Sequence, residues 1–494
     1  MHRLLQSPAV RIALLALTLG LLFLGQRGIW DPDEGRYSNV ALHMLDSGNW
    51  IEPHRSAEVA HWTKPPLTYW AIGGSVAVFG HNAWAARLPA ALSYLLCVWL
   101  AWKTARRMAP GSEQQAALLY ATMLFPIGAA QFISTDYVLA ACETLAMWGF
   151  IEARFGTHAH PQRWLLLMWA GFALAFLDKG PPGLLPLLAV VGFDLSMPGT
   201  QRPRALHWQG LLLFLLVAAP WYVAVTLRNP GLLDYFLGKE VVGRVASDTF
   251  ARHGEWYGWL AVYAPTLLLG TLPWTPSLLR WTRALPARVR EWRSAEGRGA
   301  DRAGMLLALW LLVPLLVFCV SRSRLPLYIL PLFVPLAVIA ARPRMLDGLP
   351  LPRWRWLLLF CAAMLAVQLA VARWPTHKDA SAWTTAIHQR VPGPVTQIEF
   401  VDDMARYGLH LHLGAEVEKL SVQPALLSRF NPEFDETVAD ELRVDFDPDA
   451  LWITKQAQWP ATRDAISANG FVAVVQGTPY QDRVLFRVRR APAP

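Results

Sequence analysis

The chain has 494 residues, of which 54% are hydrophobic and only 16% are charged. Soluble domains carry roughly 25% charged residues, so this composition excludes a single soluble fold. The apolar residues are gathered into blocks of about 17 to 22 residues, and a helix of that length crosses the hydrocarbon core of a bilayer. The sequence therefore predicts an all-α polytopic membrane protein with an additional soluble part.

The apolar blocks are separated by Pro, Gly or charged residues and predict about eleven membrane-spanning helices. No small-residue cleavage site follows the first block, so we expect a retained helix rather than a signal peptide. In chain order the blocks lie near residues 9–26, 84–102, 115–132, 137–153, 163–178, 181–197, 208–227, 258–277, 304–320, 325–341 and 356–372.

Positive charge between the blocks predicts the orientation in the membrane. The segments Arg280 to Arg302 and Arg342 to Arg355 are rich in arginine, and such loops stay in the cytoplasm. We therefore expect a cytoplasmic N-terminus and, after an odd number of spans, an external C-terminal segment. The abundance of Arg and Trp in the loops favours a bacterial inner membrane, with the C-terminal segment in the periplasm. The positive net charge of +9 is then explained by the basic residues that orient the chain in the membrane, and it does not indicate nucleic-acid binding.

The composition changes near residue 373. Residues 1–372 contain 32 Lys and Arg against 20 Asp and Glu, whereas residues 373–494 contain 13 against 16. We expect a transmembrane domain over residues 1–372 and a soluble periplasmic α/β domain over residues 373–494. The predicted elements of the soluble domain are β-rich runs at Val395 to Phe400, Leu451 to Thr454, Phe471 to Val475 and Arg483 to Val488, and a helix at Ala461 to Asn469.

The first external loop, Arg27 to Asn82, contains amphipathic segments of its own. Leu67 to Phe79 is almost entirely apolar, and several apolar residues before it share one helical face. This pattern is typical of helices that lie in the membrane interface. The residues of the shared face are Tyr37, Val40, Ala41, Met44 and Leu45.

Two adjacent acids, Asp33 and Glu34, follow the first span directly. A carboxylate beside the membrane interface can position or deprotonate a nucleophile, because a hydroxyl group is a weak nucleophile without a neighbouring base. The structural alternative is that Asp33 caps a helix by accepting backbone N–H bonds and complements the helix dipole. The spacing alone leaves both interpretations open.

Lys64 stands before two prolines at the entrance to the apolar segment that starts at residue 67. A fixed ammonium in a partly dehydrated site stabilises negative charge that develops on a departing phosphate. The alternative is a lysine whose stem lies along apolar surface while its charge contacts lipid head groups. Both interpretations remain open for Lys64 on its own.

Further ionisable residues lie on the same external face. Asp136 stands at the turn between two spans. Burying an acid there costs free energy, so its presence indicates a function. The alternative is that Asp136 is a turn residue bonded to its own backbone. Lys179 either binds an anion or neutralises the adjacent Asp178. External cations run against the charge bias that orients the chain, so they favour a phosphate site on this face. The other members of this set are Arg244, Arg324 and Tyr328.

No metal site and no nucleotide site is predicted. The histidines of the external loops show no spacing typical of a closed metal site; they are His43, His54, His61, His81 and His253. A glycine-rich phosphate loop is also missing, so the pattern does not indicate a nucleotide-activated donor. A lipid-linked donor needs no such loop.

Five segments occur together in a fixed order: DPDEGRYSNVALHMLDSGNW at 31–50, KPPLTYW at 64–70, the turn at Asp136, DKG at 178–180 and SRLPLYI at 323–329. This ordered set resembles the GT-C glycosyltransferases of family 39/83 type. The similarity is greatest to the bacterial 4-amino-4-deoxy-L-arabinose lipid A transferases, with protein O-mannosyltransferases as more distant relatives. It covers roughly residues 9–341 and implies a GT-C fold.

The resemblance implies a hexosyl- or pentosyltransferase of the inner membrane. Such an enzyme takes a sugar from a polyprenyl (undecaprenyl) monophosphate donor and passes it, with inversion, to a lipid or glycan acceptor in the periplasmic leaflet, for example lipid A. Membrane lipids are further expected partners. By this resemblance, the residues that match catalytic acids are Asp33, Glu34 and Asp136. The residues that match positions near the donor phosphate are Lys64, Arg324 and Tyr328. We add Lys179 and Arg244 to the phosphate-binding residues because of their charge on the same face.

Two departures from the aminoarabinose transferases concern a metal and the acceptor. In those enzymes an acid commonly precedes the motif lysine and a Glu-His pair precedes the eighth span, which together suggest a metal site. Here the matching positions are Thr63 and Glu240-Val241, so no metal ligand is predicted, although the resemblance leaves a divalent metal open as a cofactor. The chain also has fewer predicted spans and a soluble α/β domain, so its acceptor can differ from lipid A.

The alternative function is a transporter or flippase of lipid-linked sugars. Such a protein places ionisable groups along a path through the bilayer, whereas here the polar set clusters on one face. A receptor or assembly protein that acts through its external domain is a third class, and it would not need eleven spans as an anchor.

Overall fold

A computed structural model of the chain describes residues 7–197, 204–238, 252–424 and 428–492. Each of the eleven predicted apolar blocks overlaps a helix. The α-helices are Pro8–Leu21, Asp33–Ser47, Leu67–Phe79, Ala83–Met108, Glu113–Thr122, Leu124–Ala129, Thr135–Phe155, Pro161–Lys179, Leu185–Ser196, Trp208–Arg228, Leu232–Tyr235, Gly258–Gly270, Thr275–Glu291, Ala295–Ala300, Arg302–Val320, Phe333–Leu346, Trp354–Ala372, Ala380–Arg390, Gly408–Leu413, Val438–Val444 and Trp459–Ala468, with 3₁₀ turns at Pro181–Leu184, Pro326–Leu332 and Gln456–Gln458.

Length and hydropathy confirm a mostly helical membrane protein with several apolar spans. Within the described ranges, five helical segments are long and apolar enough to cross a bilayer: Ala83–Met108, Trp208–Arg228, Arg302–Val320, Pro326–Leu346 and Trp354–Ala372. Shorter apolar helices in the same ranges are Pro8–Leu21, Leu67–Phe79, Pro181–Ser196 and Gly258–Gly270. The count of eleven spans stays a prediction.

The chain divides into two compact units. The first unit comprises residues 1–23 and 89–367, and the second comprises residues 24–88 and 368–494. The first external loop therefore belongs to the same unit as the C-terminal segment. The predicted division into domains at residue 372 stays a prediction.

In the first unit, helices Thr135–Phe155 and Pro161–Lys179 form an antiparallel hairpin. They approach closely because small residues lie at the contact: a Cβ added at Gly149 or at Gly171 would lie 2.7 Å from a backbone nitrogen of the facing helix. The reversal of direction brings the start of the first helix beside the end of the second. Residues 136 and 179 consequently lie at the same end of the hairpin.

The second unit contains a six-stranded mixed sheet with the strand order β3-β2-β1-β4-β6-β5. Strands β1 to β4 are parallel neighbours, whereas β6 runs antiparallel to both β4 and β5. The predicted α/β character of the C-terminal segment is confirmed, and β2 and β3 are strands that the sequence did not predict. The strands are β1 Gln397–Val401, β2 Glu416–Ser421, β3 Glu436–Thr437, β4 Leu451–Lys455, β5 Phe471–Val475 and β6 Arg483–Arg490.

Both helices predicted in the first external loop are present in the second unit, at Asp33–Ser47 and Leu67–Phe79. They pack on each other, with the ring centroids of Tyr37 and Tyr69 separated by 6.0 Å. The apolar face of the first helix is thus covered by protein within this unit, while Phe79 at the end of the second helix is exposed. A position in the membrane interface stays a prediction for these helices.

Candidate functional site

Asp33 is the first residue of helix Asp33–Ser47, and Pro32 is the residue that precedes the helix. Among the described residues, the hydrogen bond of the Asp33 carboxylate comes from a side chain and not from a backbone N–H: it accepts from Arg36 Nη2 at 2.6 Å, one turn further along. The side chain is 65% exposed, so the carboxylate remains accessible to a substrate. The hydrogen bonds thus do not support capping, whereas the position of Asp33 in the first turn agrees with the part of the alternative that concerns the helix dipole.

Glu34, the next residue, lies in the interior of the same unit and is 2% exposed. Arg27 Nη1 donates to Glu34 Oε2 at 2.6 Å, and Arg87 donates through Nε to Oε1 at 2.9 Å and through Nη2 to Oε2 at 3.0 Å. The backbone N–H of Trp30 donates to Oε2 at 3.0 Å. Two guanidinium groups and a backbone amide thus hold this carboxylate.

Arg87 is completely enclosed, at 1% exposure, and also stabilises the backbone before the helix. Its Nη1 donates to the carbonyl oxygens of Leu24 at 3.0 Å and Arg27 at 2.6 Å, and its Nη2 donates to that of Gly28 at 2.8 Å. Because the guanidinium bonds both this segment and Glu34, the turn that presents Asp33 is fixed from inside the unit.

The electrostatics of Glu34 agree with a permanently ionised group. Burial alone would raise the pKa of the Glu34 carboxyl, but the charges of Arg87 and Arg27 and their hydrogen bonds outweigh burial and lower the pKa to about 2. A carboxylate held in this way is a poor proton acceptor at neutral pH.

Asp31 anchors the same turn to the C-terminal part of the unit. Asp31 is buried, and its Oδ1 accepts from the backbone N–H of Gly408 at 3.1 Å; burial raises its pKa well above the usual range, against the effect of this bond. Gly35 leaves room for the contact, because a Cβ there would lie 1.7 Å from Asp31 Oδ1 and 2.6 Å from the Gly408 nitrogen.

Lys64 lies in a segment that is bonded into the second unit. Its side chain is half-buried. Three residues before it, the buried His61 shares a hydrogen bond of 2.5 Å between its Nε2 and Thr63 Oγ1. Burial and the nearby charge of Arg36 lower the pKa of His61 well below its ordinary value. The imidazole next to Lys64 is therefore neutral, and it adds no competing positive charge.

In the first unit three of the predicted residues come together. Asp136 and Lys179 form a direct ion pair between Oδ1 and Nζ at one end of the helix hairpin. Lys179 Nζ also lies 4.7 Å from the ring centroid of Tyr328. Both charged side chains are more than nine-tenths buried. The resulting arrangement is an ammonium between a carboxylate and an aromatic face, in which Lys179 pairs across the hairpin with Asp136.

Arg324 is buried and oriented by backbone carbonyls of the same unit. Its Nη1 donates to His253 O at 2.6 Å and to Glu255 O at 2.8 Å, and its Nη2 donates to Cys319 O at 3.1 Å. These bonds fix the guanidinium in place. Its Nε has no hydrogen-bond partner among the described residues.

Two of the sequence predictions concern residues that the structure does not describe. Arg244, a predicted donor-phosphate ligand, lies outside the described residues. The same holds for Glu240-Val241, the positions that correspond to part of the suggested metal site.

The arginines that hold Glu34 were not predicted. Arg27 and Arg87 both lie at the ends of apolar blocks, and a buried charge needs a partner; this is the signal that could have identified them. Arg55 is a further case: it is buried and pairs with Asp435 Oδ1 at 2.7 Å, a contact that no local pattern indicates.

The chain is similar to known membrane glycosyltransferases. Residues 63–223 match the family described as dolichyl-phosphate-mannose-protein mannosyltransferase. The matched range includes three of the predicted site residues: Lys64, Asp136 and Lys179.

Curated relatives match a longer part of the chain than the family does. The undecaprenyl phosphate-alpha-4-amino-4-deoxy-L-arabinose arabinosyl transferase 2 of Pseudomonas fluorescens is 33% identical over 338 residues, which are 65% of this chain and 56% of the relative. The corresponding transferase of Pseudomonas aeruginosa is 33% identical over 340 residues, 66% of this chain and 58% of the relative. The matched part of the chain thus spans little more than half the length of these relatives.

Among solved structures, the fold is similar to that of ArnT from Cupriavidus metallidurans, which was crystallised with undecaprenyl phosphate. The TM-score is 0.76 at 21% sequence identity, with 97% of each chain covered. The two chains therefore share a fold. Together with the sequence matches, this confirms the resemblance that the ordered motifs predict.

Proposed function

We propose that this chain, a relative of the GT-C glycosyltransferases of the aminoarabinose transferase type, moves a sugar from an undecaprenyl monophosphate donor to lipid A. The similarity to arabinosyl transferases named for an undecaprenyl-phosphate aminoarabinose donor supports this donor and this sugar. The geometric observation that carries the proposal is the pair of adjacent acids in which Glu34 is locked inside the unit while Asp33 is presented to the outside.

Asp33 is the proposed general base. Its carboxylate is exposed, and its charged partner Arg36, one turn away, is half-buried, so a substrate hydroxyl can approach the carboxylate from the solvent side. Removal of the hydroxyl proton as the oxygen attacks the anomeric carbon gives a single displacement, in which the polyprenyl phosphate leaves and the configuration inverts. Glu34 is a positioning residue in this proposal, because its contacts are to Arg27, Arg87 and the backbone.

Lys64 is the proposed counter-charge for the donor phosphate in the second unit. The prolines that follow it restrict the backbone. His61 nearby is neutral and adds no further charge to a region that contains Arg36 and Arg55 besides Lys64. A fixed cation stabilises a phosphate most where negative charge grows during departure.

The residues of the first unit have related proposed roles. Asp136 is a catalytic acid in the proposal, and its contact with Lys179 sets the position of the ammonium. Lys179, Tyr328 and Arg324 are proposed to bind anionic groups of the donor; the support for Arg324 is a guanidinium already oriented by carbonyl oxygens. Arg244 is added on its charge and sequence position alone.

The membrane arrangement is part of the same proposal. Eleven spans, a cytoplasmic N-terminus and a periplasmic α/β domain over residues 373–494 follow from the apolar blocks and the arginine-rich loops, and residues 1–372 then form the catalytic domain. A bacterial inner membrane is the location that fits a lipid-linked donor and an acceptor in the periplasmic leaflet.

The test is the turnover of Asp33→Asn in the full-length protein, reconstituted with undecaprenyl-phosphate aminoarabinose and lipid A. The amide keeps the size of the side chain, so donor binding should persist while transfer to a hydroxyl acceptor falls by roughly 10²–10⁴, as expected for a lost general base. Transfer to a phosphate group, which is already anionic, should fall less.

The matched control is Asp46→Asn, an exposed acid in the last turn of the same helix, which should turn over as wild type. Near wild-type rates for Asp33→Asn with both kinds of acceptor would remove Asp33 from the mechanism. A wild-type protein that moves donor lipid across the bilayer but transfers no sugar would instead favour a flippase.

A further inference from the structure

Three glutamates of the second unit converge in the interior of the α/β part. Glu399 of β1 and Glu418 of β2 are direct partners in the parallel ladder, so their side chains lie on the same face of the sheet. Glu441 comes from helix Val438–Val444. One carboxylate oxygen of each glutamate lies within 4.8 Å of the other two.

Two of these carboxylates are sealed from solvent and have no basic partner among the described residues. Glu399 is 0% and Glu441 is 1% exposed, and in the described ranges neither oxygen of either group has a hydrogen-bond partner. Basic side chains of the same region are engaged elsewhere: Lys419 pairs with Glu433, and Arg55 pairs with Asp435. The cluster therefore concentrates carboxylate oxygens that no basic side chain of the described ranges pairs with. The uncharged amide of Gln397 lies near Glu399, and the carboxyl group of Glu436 lies near Glu441.

The surroundings make this arrangement costly. The same layer between sheet and helix contains the buried apolar residues Val401, Leu420, Val438 and Leu442, where an unpaired carboxylate costs several kcal/mol. An apolar side chain at position 399 would avoid this cost. Three acids at one point of an apolar layer thus indicate a role that needs their oxygens.

The pKa values describe the cluster in the absence of a counter-charge. Burial, together with the neighbouring carboxylates, raises the pKa of Glu418 to about 8 and that of Glu441 to about 11. Burial and the charge of Glu418 likewise raise the pKa of Glu399 well above its usual value. A cation among them would reverse these shifts by stabilising the ionised forms.

A cavity of about 250 Å³ opens beside one member of the cluster. Glu418 is one of its lining residues, together with Glu436, Gln397 and Ser56. Its polar lining offers further oxygen ligands and room for water molecules. An ion in this cavity therefore reaches Glu418, the least buried of the three glutamates.

We propose that Glu399, Glu418 and Glu441 bind a hard divalent cation, for which Ca²⁺ is the best fit, and that this ion ties helix Val438–Val444 to the sheet. Carboxylate oxygens are the ligands that Ca²⁺ prefers, at about 2.3–2.6 Å, so two oxygens on opposite sides of the ion are about 5 Å apart. The spread of 4.8 Å or less among the three carboxylates suits that size. Water in the cavity would complete the coordination.

The proposal is tested on the full-length protein in detergent after treatment with EDTA. Tb³⁺, a luminescent substitute for Ca²⁺, is excited through a nearby tryptophan, and Trp452 of β4 is the ladder partner of Glu399. We expect sensitised emission that Ca²⁺ displaces. Trp452→Phe should reduce the emission and leave Ca²⁺ binding, measured by calorimetry, unchanged.

Glu399→Gln and Glu441→Gln should each weaken Ca²⁺ binding at least tenfold and abolish the rise in Tm that Ca²⁺ causes in the wild type. Glu418→Gln, at the cavity edge, provides a third variant if either buried change prevents folding. The control is Glu433→Gln, whose side chain is 74% exposed and which should bind as wild type.

One result would overturn the proposal. If the EDTA-treated wild type takes up no Ca²⁺, Mg²⁺ or Mn²⁺ in equilibrium dialysis with ion counting, and the Gln variants raise Tm equally with and without these ions, the carboxyls share protons and hold no metal. The readouts are ion uptake and Tm, so they do not depend on the proposed sugar transfer.

Discussion

Consecutive residues of a helix point about 100° apart. The neighbouring acids Asp33 and Glu34 carry the same charge but therefore lie in different surroundings. Asp33 points outward to Arg36, whereas Glu34 points inward to Arg27 and Arg87. The Asp33 carboxylate is exposed to solvent, whereas two buried arginines hold the Glu34 carboxylate. Under the proposed function, Asp33 is the acting residue and Glu34 supports its position.

Glu34→Gln is expected to destabilise the second unit by about 3–5 kcal/mol, because it leaves two buried guanidinium groups without their counter-charge. The folded-state pKa of Glu34, about 2, lies below its ordinary value of 4.5, so the stabilisation is complete above pH 4.5 and is lost as the pH falls through 2. Thermal unfolding of the purified protein between pH 7 and pH 3 measures this.

The difference in Tm between wild type and Glu34→Gln should be greatest at pH 7 and shrink below pH 4.5. Glu433→Gln, an exposed acid of the same unit, serves as the comparison and should show little change in Tm. An equal Tm deficit for Glu34→Gln at pH 7 and pH 3 would contradict an ionic role for Glu34.

Lys64→Ala is expected to weaken donor binding by roughly 10–100-fold, the value of a charge-assisted contact, and to lower kcat by roughly 10²–10³, because the departing phosphate gains more charge than it has when bound. Direct binding of undecaprenyl phosphate and single-turnover rates separate the two effects. Lys378→Ala, an exposed lysine of the same unit, should change neither. A loss in kcat without any loss in binding would argue against contact with the phosphate.

At the scale of elements, helix direction decides which distant residues meet. The close antiparallel packing of Thr135–Phe155 and Pro161–Lys179 joins Asp136 and Lys179, which are 43 positions apart in the chain. The contact needs both the small residues between the helices and the nearly equal lengths of the two helices. Each of these features is visible in the sequence, but their combined effect is not.

Helix Asp33–Ser47 depends on a glycine for its place in the second unit. Gly35→Ala would put a Cβ 1.7 Å from Asp31 Oδ1, so the helix or the buried Asp31 must move, at a cost of about 1–3 kcal/mol. Because the displacement also shifts Asp33, turnover should fall together with Tm.

The comparison is Gly74→Ala, on helix Leu67–Phe79, where an added Cβ meets no atom within 4 Å. There alanine should stabilise the helix by roughly 0.5–1 kcal/mol. Thermal unfolding and turnover of both variants measure the contrast, and equal behaviour of the two would refute the close approach at residue 35.

At the scale of the whole molecule, exposed apolar side chains mark the surface that lipid covers. The helices Trp208–Arg228 and Trp354–Ala372 are largely exposed despite their high hydropathy, whereas Pro326–Leu346 is largely buried. An apolar surface of this extent is stable only in a bilayer. Basic side chains concentrate in helix Thr275–Glu291, in agreement with a segment that stays on the cytoplasmic side.

Topology is measured with reporter fusions. Fusions after Arg302 and Arg355 should report the cytoplasm, and a fusion at Pro494 should report the periplasm, because arginine-rich loops resist translocation. Phosphatase and fluorescent-protein reporters give opposite signals at each point. A cytoplasmic signal at Pro494 would break the eleven-span arrangement.

Strand β2 illustrates how far local patterns reach. An alternating strand is recognised by apolar residues on its inward face. In β2, Glu418 occupies such a position, so the local pattern does not predict a strand there. The patterns of β4 and β5 do predict strands. β3 has only two residues, too few for any pattern. Glu418, an acid at a position that is usually apolar, is thus both the reason that β2 was not predicted and a member of the glutamate cluster.

The sequence by itself determined the membrane character, the positions of the apolar helices, the α/β nature of the C-terminal segment and the ordered motifs, because each is recorded in residues that are close in the chain. Tertiary structure alone decided that Glu34 is buried against Arg87, 53 positions away, that Asp136 pairs with Lys179, and that Glu399 meets Glu441. The physical reason is that periodicity specifies which face of an element is apolar, whereas the partner of a buried charge depends on which elements pack together.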